Sequence, residues 1–194
     1  SEGGPLRKPE VSRVADADDG RNLSLFHGPL GRKDGFDLFM SLHGEEVMCF
    51  DLEIDESHDL CDDEIFNPII EDIRLGRYDR GGLLAPPYST FAGARCAGDG
   101  GPPPLRSAAP PGLYGLPGLR PADNEKVRIG TLCALRCVSV AKAFEERSKI
   151  VKYEVPWAWE TPARRPGKPS IFNLPEVLSL DGNAAVTTIT LDQC

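Results

Sequence analysis

Residues 22–52, NLSLFHGPLGRKDGFDLFMSLHGEEVMCFDL, decide the fold, because two short apolar runs flank a segment with helical periodicity. The runs at 22–26 and 46–52 predict β-strands. Between them, apolar residues recur at helical spacing over 34–43, and Asp34 is expected to cap that helix. A strand, a helix and a second strand in this order are typical of a parallel sheet.

The same alternation continues along the chain. A second helix is predicted from Asp62 or Asp63 to Leu75, where Gly76 ends it, and a third apolar strand is predicted over 82–85. The order of these elements predicts an α/β fold with a doubly wound, mainly parallel sheet and helices on both faces. Ligands of such sheets bind beyond the carboxyl ends of the strands, so we expect a site at the loops that follow the three strands.

The second half of the chain changes character at residues 93–121, where 14 of 29 residues are Gly or Pro. That composition predicts a segment without regular elements. The elements predicted after it are a long helix at 123–147 with apolar residues on more than one side, a strand at 150–159, a short helix at 174–180 and a final strand at 184–191. The predicted organisation is a polar tail at 1–20 and a single α/β domain at 21–194.

Composition excludes several classes of protein. The 194 residues carry a net charge of -8, which argues against an autonomous binder of the nucleic-acid backbone, because that affinity comes from Lys and Arg. No apolar run is long enough for a membrane helix and the N-terminus lacks the apolar core of a signal peptide, so we expect a soluble intracellular or organellar protein. Six cysteines without a CxxC pair predict buried thiols, and no metal site is predicted.

The loops after the first two predicted strands carry the first candidate site residues. The turn at 27–31, HGPLG, contains glycines that let the backbone approach a nucleotide-like ligand. Asp51 and Glu53 follow the second strand, where a carboxylate can accept the hydroxyl protons of a ribose, and Asp59 is a third acid nearby. The alternative interpretation of these acids is a solvated acidic loop.

The segment at 84–91, LAPPYSTF, places two prolines directly after a buried strand, which holds the next side chain rigidly. In order, LFxG, EID, a DL acid, PPxSTF and WExP resemble the cytosine-5 DNA methyltransferases, and more closely their diverged short protist relatives, over residues 22–194. The segments SIFNLPEVLSL and TTITLDQC are similar to the tail of those relatives. The resemblance implies a Rossmann-like class I methyltransferase fold, S-adenosylmethionine as cofactor and DNA as a partner.

The resemblance also implies roles for individual positions. Tyr88 occupies the position of the nucleophilic cysteine, and Glu160 that of the glutamate that holds the base. Leu30 stands where the family has a second glycine, beside the methionine moiety of the cofactor, so weak or absent cofactor binding is expected. Thr161 replaces the asparagine that usually follows the glutamate. The implied cofactor-binding residues are Phe26, Gly28, Gly31, Asp51, Glu53, Asp59 and Pro86.

Three functional hypotheses follow. Cytosine-5 methylation needs a thiolate, and Tyr88 stands in its place, so we expect a non-catalytic domain. Such a domain would be a structural or binding subunit of a larger assembly with protein partners. Contact with a membrane-bound assembly is left open. An active cytosine-5 enzyme would need a substitute nucleophile such as Cys96. An amino-methyltransferase has an acid or amide before PP(Y/F/W), and Ala85 lacks that group although Tyr88 supplies the aromatic ring.

A further aromatic and basic segment lies near Glu160. Its interpretation as a base-stacking surface with phosphate contacts competes with the preferred one, a core strand followed by an exposed basic loop. The residues concerned are Tyr153, Trp157, Trp159, Arg164, Arg165 and Lys168.

Overall fold

The computed structural model describes residues 20–91, 100–181 and 186–190. Within them, four strands form one sheet in the order β2-β1-β3-β4, and every neighbouring pair is parallel. The strands are β1 (Asn22–Leu25), β2 (Val47–Phe50), β3 (Gly81–Leu84) and β4 (Trp157–Trp159). The helices are α1 (Phe36–Leu42), α2 (Asp63–Arg74), α3 (Pro121–Val151) and α4 (Pro175–Asp181), with 3-10 turns at Gly112–Tyr114 and Ile171–Asn173. The predicted α/β class with a parallel sheet is confirmed.

One face of the sheet carries the hydrophobic core. Leu25 of β1 lies between Phe50 of β2 and Leu84 of β3 in the strand register, and Leu23, Leu25 and Leu84 are fully buried. Helices α2 and α3 cover this face and contact each other. The side chain of Phe144 packs so closely on Gly82 that a Cβ there would lie 2.8 Å from its ring.

The other face of the sheet is only partly covered. Side chains alternate along a strand, so Ser24, Cys49 and Leu83 share this face. Helix α1 contacts β2, and its Asp37 lines a shallow depression together with Cys49. No residue of α1 is buried, so this helix leaves apolar side chains at the surface.

The boundaries of α1 and α2 follow the predictions, with one correction at α1. Helix α1 begins at Phe36 with Gly35 at the N-cap, and Asp34 forms an ion pair with Arg32 instead of capping the helix. The N-cap of α2 is Asp62, whose side chain accepts the amide of Glu64, as expected for a capping aspartate. Helix α2 ends at Arg74, and the positive φ of Gly76 confirms the predicted stop.

The predicted strand at 150–159 is wrong over residues 150–156. Helix α3 runs past the expected end to Val151, and Lys152 closes it in the left-handed conformation, with φ of 62°. Strand β4 comprises only Trp157–Trp159, the three residues that pair with Gly82, Leu83 and Leu84 of β3. Of the predicted final strand at 184–191, the described residues 186–190 are not a strand, and the others lie outside the described residues.

The described part of the Gly/Pro-rich segment, residues 100–121, lacks regular structure apart from the 3-10 turn at Gly112–Tyr114, yet it is anchored in the protein. Leu105, Arg106 and Leu113 are buried. This anchoring comes from within the chain and needs no partner. The predicted polar tail lies outside the described residues except for Gly20, as does Cys96.

Candidate functional site

The strand order creates a crevice at the carboxyl ends of β1 and β3. The chain leaves β1 for β2 on one side and later returns to β3 on the other side, so the two connections separate at this point. An open cleft of about 1250 Å³ lies here. The three loops expected to converge do so, because all of them line this cleft.

Of the nine residues that the sequence marks as site candidates, the structure brings eight into this cleft: Phe26, Gly28, Asp51, Glu53, Asp59, Pro86, Tyr88 and Glu160. Gly31 is the exception, and its amide donates to Asp37 Oδ2 at 3.1 Å. Gly31 therefore stabilises the start of α1 rather than lining the cleft. The individual roles of the eight residues stay predictions.

The turn after β1 has an unusual backbone. Phe26 adopts φ of 59°, and Gly28 adopts φ of 75°. A bulky side chain at positive φ is uncommon and costs energy, and such strain concentrates at functional sites. The amide of Phe26 holds this geometry by donating to the carbonyl of Phe50 at 2.9 Å.

The two acids after β2 have different environments. Asp51 accepts hydrogen bonds from two backbone amides, that of Gly28 on Oδ2 at 2.9 Å and that of Glu53 on Oδ1 at 2.8 Å. Its carboxylate thus joins the loops that follow β1 and β2. Glu53 is exposed and also lines the cleft, so it is the better placed of the two to meet a ligand.

His27, the first residue of the turn at 27–31, is buried. Its Nδ1 lies 2.9 Å from Ser24 Oγ, and its Nε2 lies 3.1 Å from Asp37 Oδ1, close enough for an ion pair although not aligned as a hydrogen bond. Burial raises the pKa of Asp37, but the amides of Gly31 and Leu38, together with His27, outweigh it and hold that pKa below its usual value. His27 therefore fixes the turn to α1.

The proline segment after β3 forms the opposite wall of the cleft. Pro86 is buried, whereas Tyr88 is 50% exposed and lines the cleft. The amide of Ala85 donates to Leu25 and that of Glu160 donates to Leu84, at 2.8 Å for the latter. These bonds continue the parallel ladder beyond β3 and β4, which places Glu160 beside Ala85.

Arg106 supports this wall from behind, a role that sequence analysis missed. Its guanidinium is buried, has no carboxylate partner among the described residues, and lies 3.8 Å from the ring centroid of Phe91. Burial lowers its pKa to about 10, so it stays charged at neutral pH. It donates four hydrogen bonds, to Thr90 Oγ1, Leu113 O, Val127 O and Thr131 Oγ1.

Leu30 and Thr161, which also depart from the family motifs, differ in position. Leu30 is 56% exposed and does not line the cleft, and weak or absent binding of the cofactor stays a prediction. Thr161 does line the cleft, next to Glu160.

The charge of the cleft is acidic. Five carboxylate side chains and two basic ones line it, a difference of three negative charges if His27 and His58 are neutral. Arg32 forms an ion pair with Asp34, which neutralises one charge of each sign and leaves the excess of three negative charges unchanged. The lining charges are Asp34, Asp51, Glu53, Asp59 and Glu160 against Arg32 and Lys33.

The proposed stacking surface near Glu160 does not form, and the alternative of a core strand followed by an exposed loop is correct. Trp157 and Trp159 pack against the core, and Tyr153 donates to Asp79. Arg164 lies over the ring of Phe172. None of the aromatic or basic residues of this segment lines the cleft.

Within the described residues, no group of three side chains is arranged to hold a metal ion, and no helix has the length and hydropathy of a membrane span. Comparison with known proteins adds no assignment. No protein-family model, no curated protein and no solved structure matches this chain.

Proposed function

We propose that this chain is a degenerate methyltransferase-like domain with a doubly wound, Rossmann-like fold similar to that of the cytosine-5 DNA methyltransferases, and that it is a non-catalytic binding or structural subunit of a larger assembly. The observation that carries this proposal is the position of Tyr88. Tyr88 lines the cleft, and in the motif resemblance it stands where that family has its nucleophilic cysteine. A phenol is a much weaker nucleophile than a thiolate at neutral pH.

The strand order supports the architectural part of the proposal. In sheets of this kind, a nucleotide cofactor binds where the order of the strands reverses, against a glycine turn and an acid at the next strand end. Gly28 and Glu53 occupy these positions in the cleft. The residues present therefore fit S-adenosylmethionine, with Glu53 holding the ribose and Asp59 the adenine amino group; when bound, such a cofactor supplies a transferable methyl group.

The charge of the cleft supports a binding role over DNA methylation. A phosphate backbone gains its affinity from Lys and Arg, but carboxylates outnumber basic side chains around this cleft. A small ligand that carries a positive charge fits the same lining better. DNA is therefore the less favoured partner of this face.

Incubation with DNA that contains a mechanism-trapping cytosine analogue and S-adenosylmethionine tests the proposal. We expect no adduct that survives denaturation, because a covalent complex requires a nucleophile at the position of Tyr88. The matched variant is Tyr88→Cys, which restores the thiol at the same position, and Tyr88→Phe is the control for loss of the hydroxyl alone. An adduct with the unmodified chain would overturn the non-catalytic assignment and direct attention to Cys96.

The position of Glu160 favours a second candidate, an amino-methyltransferase. In that class an acid or amide precedes PP(Y/F/W) and receives the hydrogens of the target amino group. Ala85 lacks an acceptor, but the ladder places the Glu160 backbone beside it, and Glu160 lines the cleft with Tyr88. Transfer of a labelled methyl group to adenine N6 or cytosine N4, lost in Glu160→Gln and retained in Glu154→Gln, would establish this activity and exclude the non-catalytic one.

A further inference from the structure

Two cysteine side chains meet in the wall of the cleft. The Sγ atoms of Cys61 and Cys133 lie 3.8 Å apart, although the residues are 72 positions apart in the chain. Cys61 lies in the turn before α2 and is partly exposed, whereas Cys133 lies in α3 and is 3% exposed. Both residues line the cleft, beside Asp59.

We propose that Cys61 and Cys133 are an oxidisable dithiol site, which a peroxide converts into an intramolecular disulfide. The sulfur of Cys61 attacks one oxygen of hydrogen peroxide, breaks the O–O bond and becomes a sulfenic acid while the first water leaves. The sulfur of Cys133 then attacks the sulfenic sulfur, the S–S bond forms and the S–O bond breaks to release the second water. Two thiols and one peroxide thus yield one disulfide and two waters.

The surroundings assign the two roles. Cys61 is the more exposed thiol and therefore the one that meets the oxidant, and Cys133 resolves the sulfenic acid from inside the wall. Burial raises the pKa of the Cys61 thiol and the charge of Asp59 adds to this rise, while the hydrogen bond with Cys133 and the guanidinium groups of Arg128 and Arg136 act against it. The first step is consequently slow at neutral pH, because only the thiolate attacks.

The geometry requires a modest movement. A disulfide needs an S–S distance of about 2.05 Å, so the sulfur atoms must approach by roughly 1.8 Å. Cys61 belongs to a turn, which can move towards the rigid helix α3. The new bond would fasten the Asp59 turn to α3 and fix one wall of the cleft. This inference does not depend on which ligand the cleft binds.

The first test is peptide mapping of the full chain after titration with hydrogen peroxide. We expect a linked pair of peptides that contains Cys61 and Cys133, with the mass loss of two hydrogen atoms, and reversal by a reducing agent. Blocking free thiols before digestion prevents exchange. Linkage of Cys61 to another cysteine, or its oxidation to sulfinic acid without any link to Cys133, would overturn the proposal.

Single-residue variants provide a second test. We expect oxidation to raise the melting temperature of the unmodified chain by roughly 10 °C, because the bond closes a long loop. That increase should vanish in Cys61→Ser and in Cys133→Ala but persist in Cys49→Ala, a buried thiol on the opposite face of the sheet. An increase of the same size in Cys61→Ser would assign it to another pair and contradict the proposal.

A third measurement uses the unmodified chain and avoids any defect in folding of the variants. Phenylarsine oxide bridges two adjacent thiols and no single thiol, so one equivalent should bind and protect Cys61 and Cys133 from alkylation. Protection of neither residue would show that the two thiols cannot act together and would overturn the proposal.

Discussion

The carboxylate of Asp51 accepts a hydrogen bond from the backbone amide of Gly28, with 2.9 Å between Oδ2 and N. The bond joins the loop after β1 to the loop after β2, across the carboxyl edge of two adjacent parallel strands. The other oxygen of Asp51 accepts the amide of Glu53. One side chain therefore orders the glycine turn and also positions the acid that lines the cleft.

Asp51→Asn should destabilise the fold, whereas Glu53→Gln should not. The asparagine side chain can offer an oxygen to only one of the two amides and must turn its NH₂ group towards the other. We expect a loss of about 1–3 kcal/mol in the free energy of unfolding, measured by urea titration. Glu53 is exposed, so its substitution should change stability by less than about 0.5 kcal/mol.

Substitution of Glu53 should instead affect ligand affinity more than stability. If Glu53 holds a ribose, Glu53→Gln should weaken the binding of S-adenosylmethionine roughly tenfold while the fold is intact, because a charge-assisted hydrogen bond is lost. Equal loss of stability in the two variants would refute the division of roles between Asp51 and Glu53.

Arg106→Met should be among the most damaging single substitutions. It removes four hydrogen bonds and the contact with the ring of Phe91, and it leaves the buried carbonyls of Leu113 and Val127 without this donor. We expect a loss of about 3–5 kcal/mol and new protease cleavage within residues 100–121.

Arg128→Met is the matched control for Arg106. Its side chain is 59% exposed and pairs within α3 with Glu125, whose side chain is 53% exposed. Exposed ion pairs contribute little, so the change should stay below about 1 kcal/mol. Similar losses in the free energy of unfolding of both variants would mean that burial of the Arg106 guanidinium does not make it more important for stability.

Strands β1, β2 and β3 and helices α1 and α2 were predictable because their signals are local. Asp62 caps α2 and Gly76 ends it within a few residues of the pattern that marks the helix. The end of α3 was missed because residues 148–151 mix polar and apolar side chains that suit either a helix or a strand. Its helical state comes from tertiary packing, such as the bond from the Val155 amide to Ser148 Oγ.

The support of the cleft was not predictable from local patterns. Arg106 lies in a segment rich in Gly and Pro, and its partners Thr90 and Thr131 are 16 and 25 positions away. Neither periodicity nor motif spacing contains that relationship. The convergence of the cleft loops was predictable, since it follows from parallel topology alone. The position of Leu30 outside the cleft was not, because it depends on the path of a single turn.

Tyr78 should make the fold sensitive to alkaline pH. Burial raises the pKa of its phenol from 10.0 to about 12 in the folded state. Between these values the unfolded chain releases a proton that the folded chain keeps, so the free energy of unfolding falls as the pH rises. The contribution of Tyr78 is fully present below about pH 10 and is lost progressively up to about pH 12, by about 2–3 kcal/mol.

Tyr78→Phe removes the titrating group and keeps the buried ring. Its free energy of unfolding should therefore decline less steeply than that of the unmodified chain above about pH 10, as urea titrations at a series of pH values would measure. Tyr88→Phe, at a tyrosine that is 50% exposed, serves as the control. Parallel pH curves for Tyr78→Phe and the unmodified chain would contradict the assignment to Tyr78.

The acidic lining of the cleft should make it select for a positively charged ligand. S-adenosylmethionine and S-adenosylhomocysteine share the adenosine and amino-acid groups but differ by the methyl group that gives the former its sulfonium charge. Five carboxylates against two basic side chains favour the charged molecule. We expect it to bind severalfold more tightly in calorimetry, and we expect the preference to shrink as salt is added, because the cleft is open to solvent and its charges are screened.

Glu53→Gln should reduce the preference further, whereas Glu56→Gln, at an exposed acid that does not line the cleft, should leave it unchanged. Tighter binding of S-adenosylhomocysteine, which lacks the sulfonium charge, would show that the acids do not face the ligand. If neither molecule binds, the proposed function is restricted to a structural subunit.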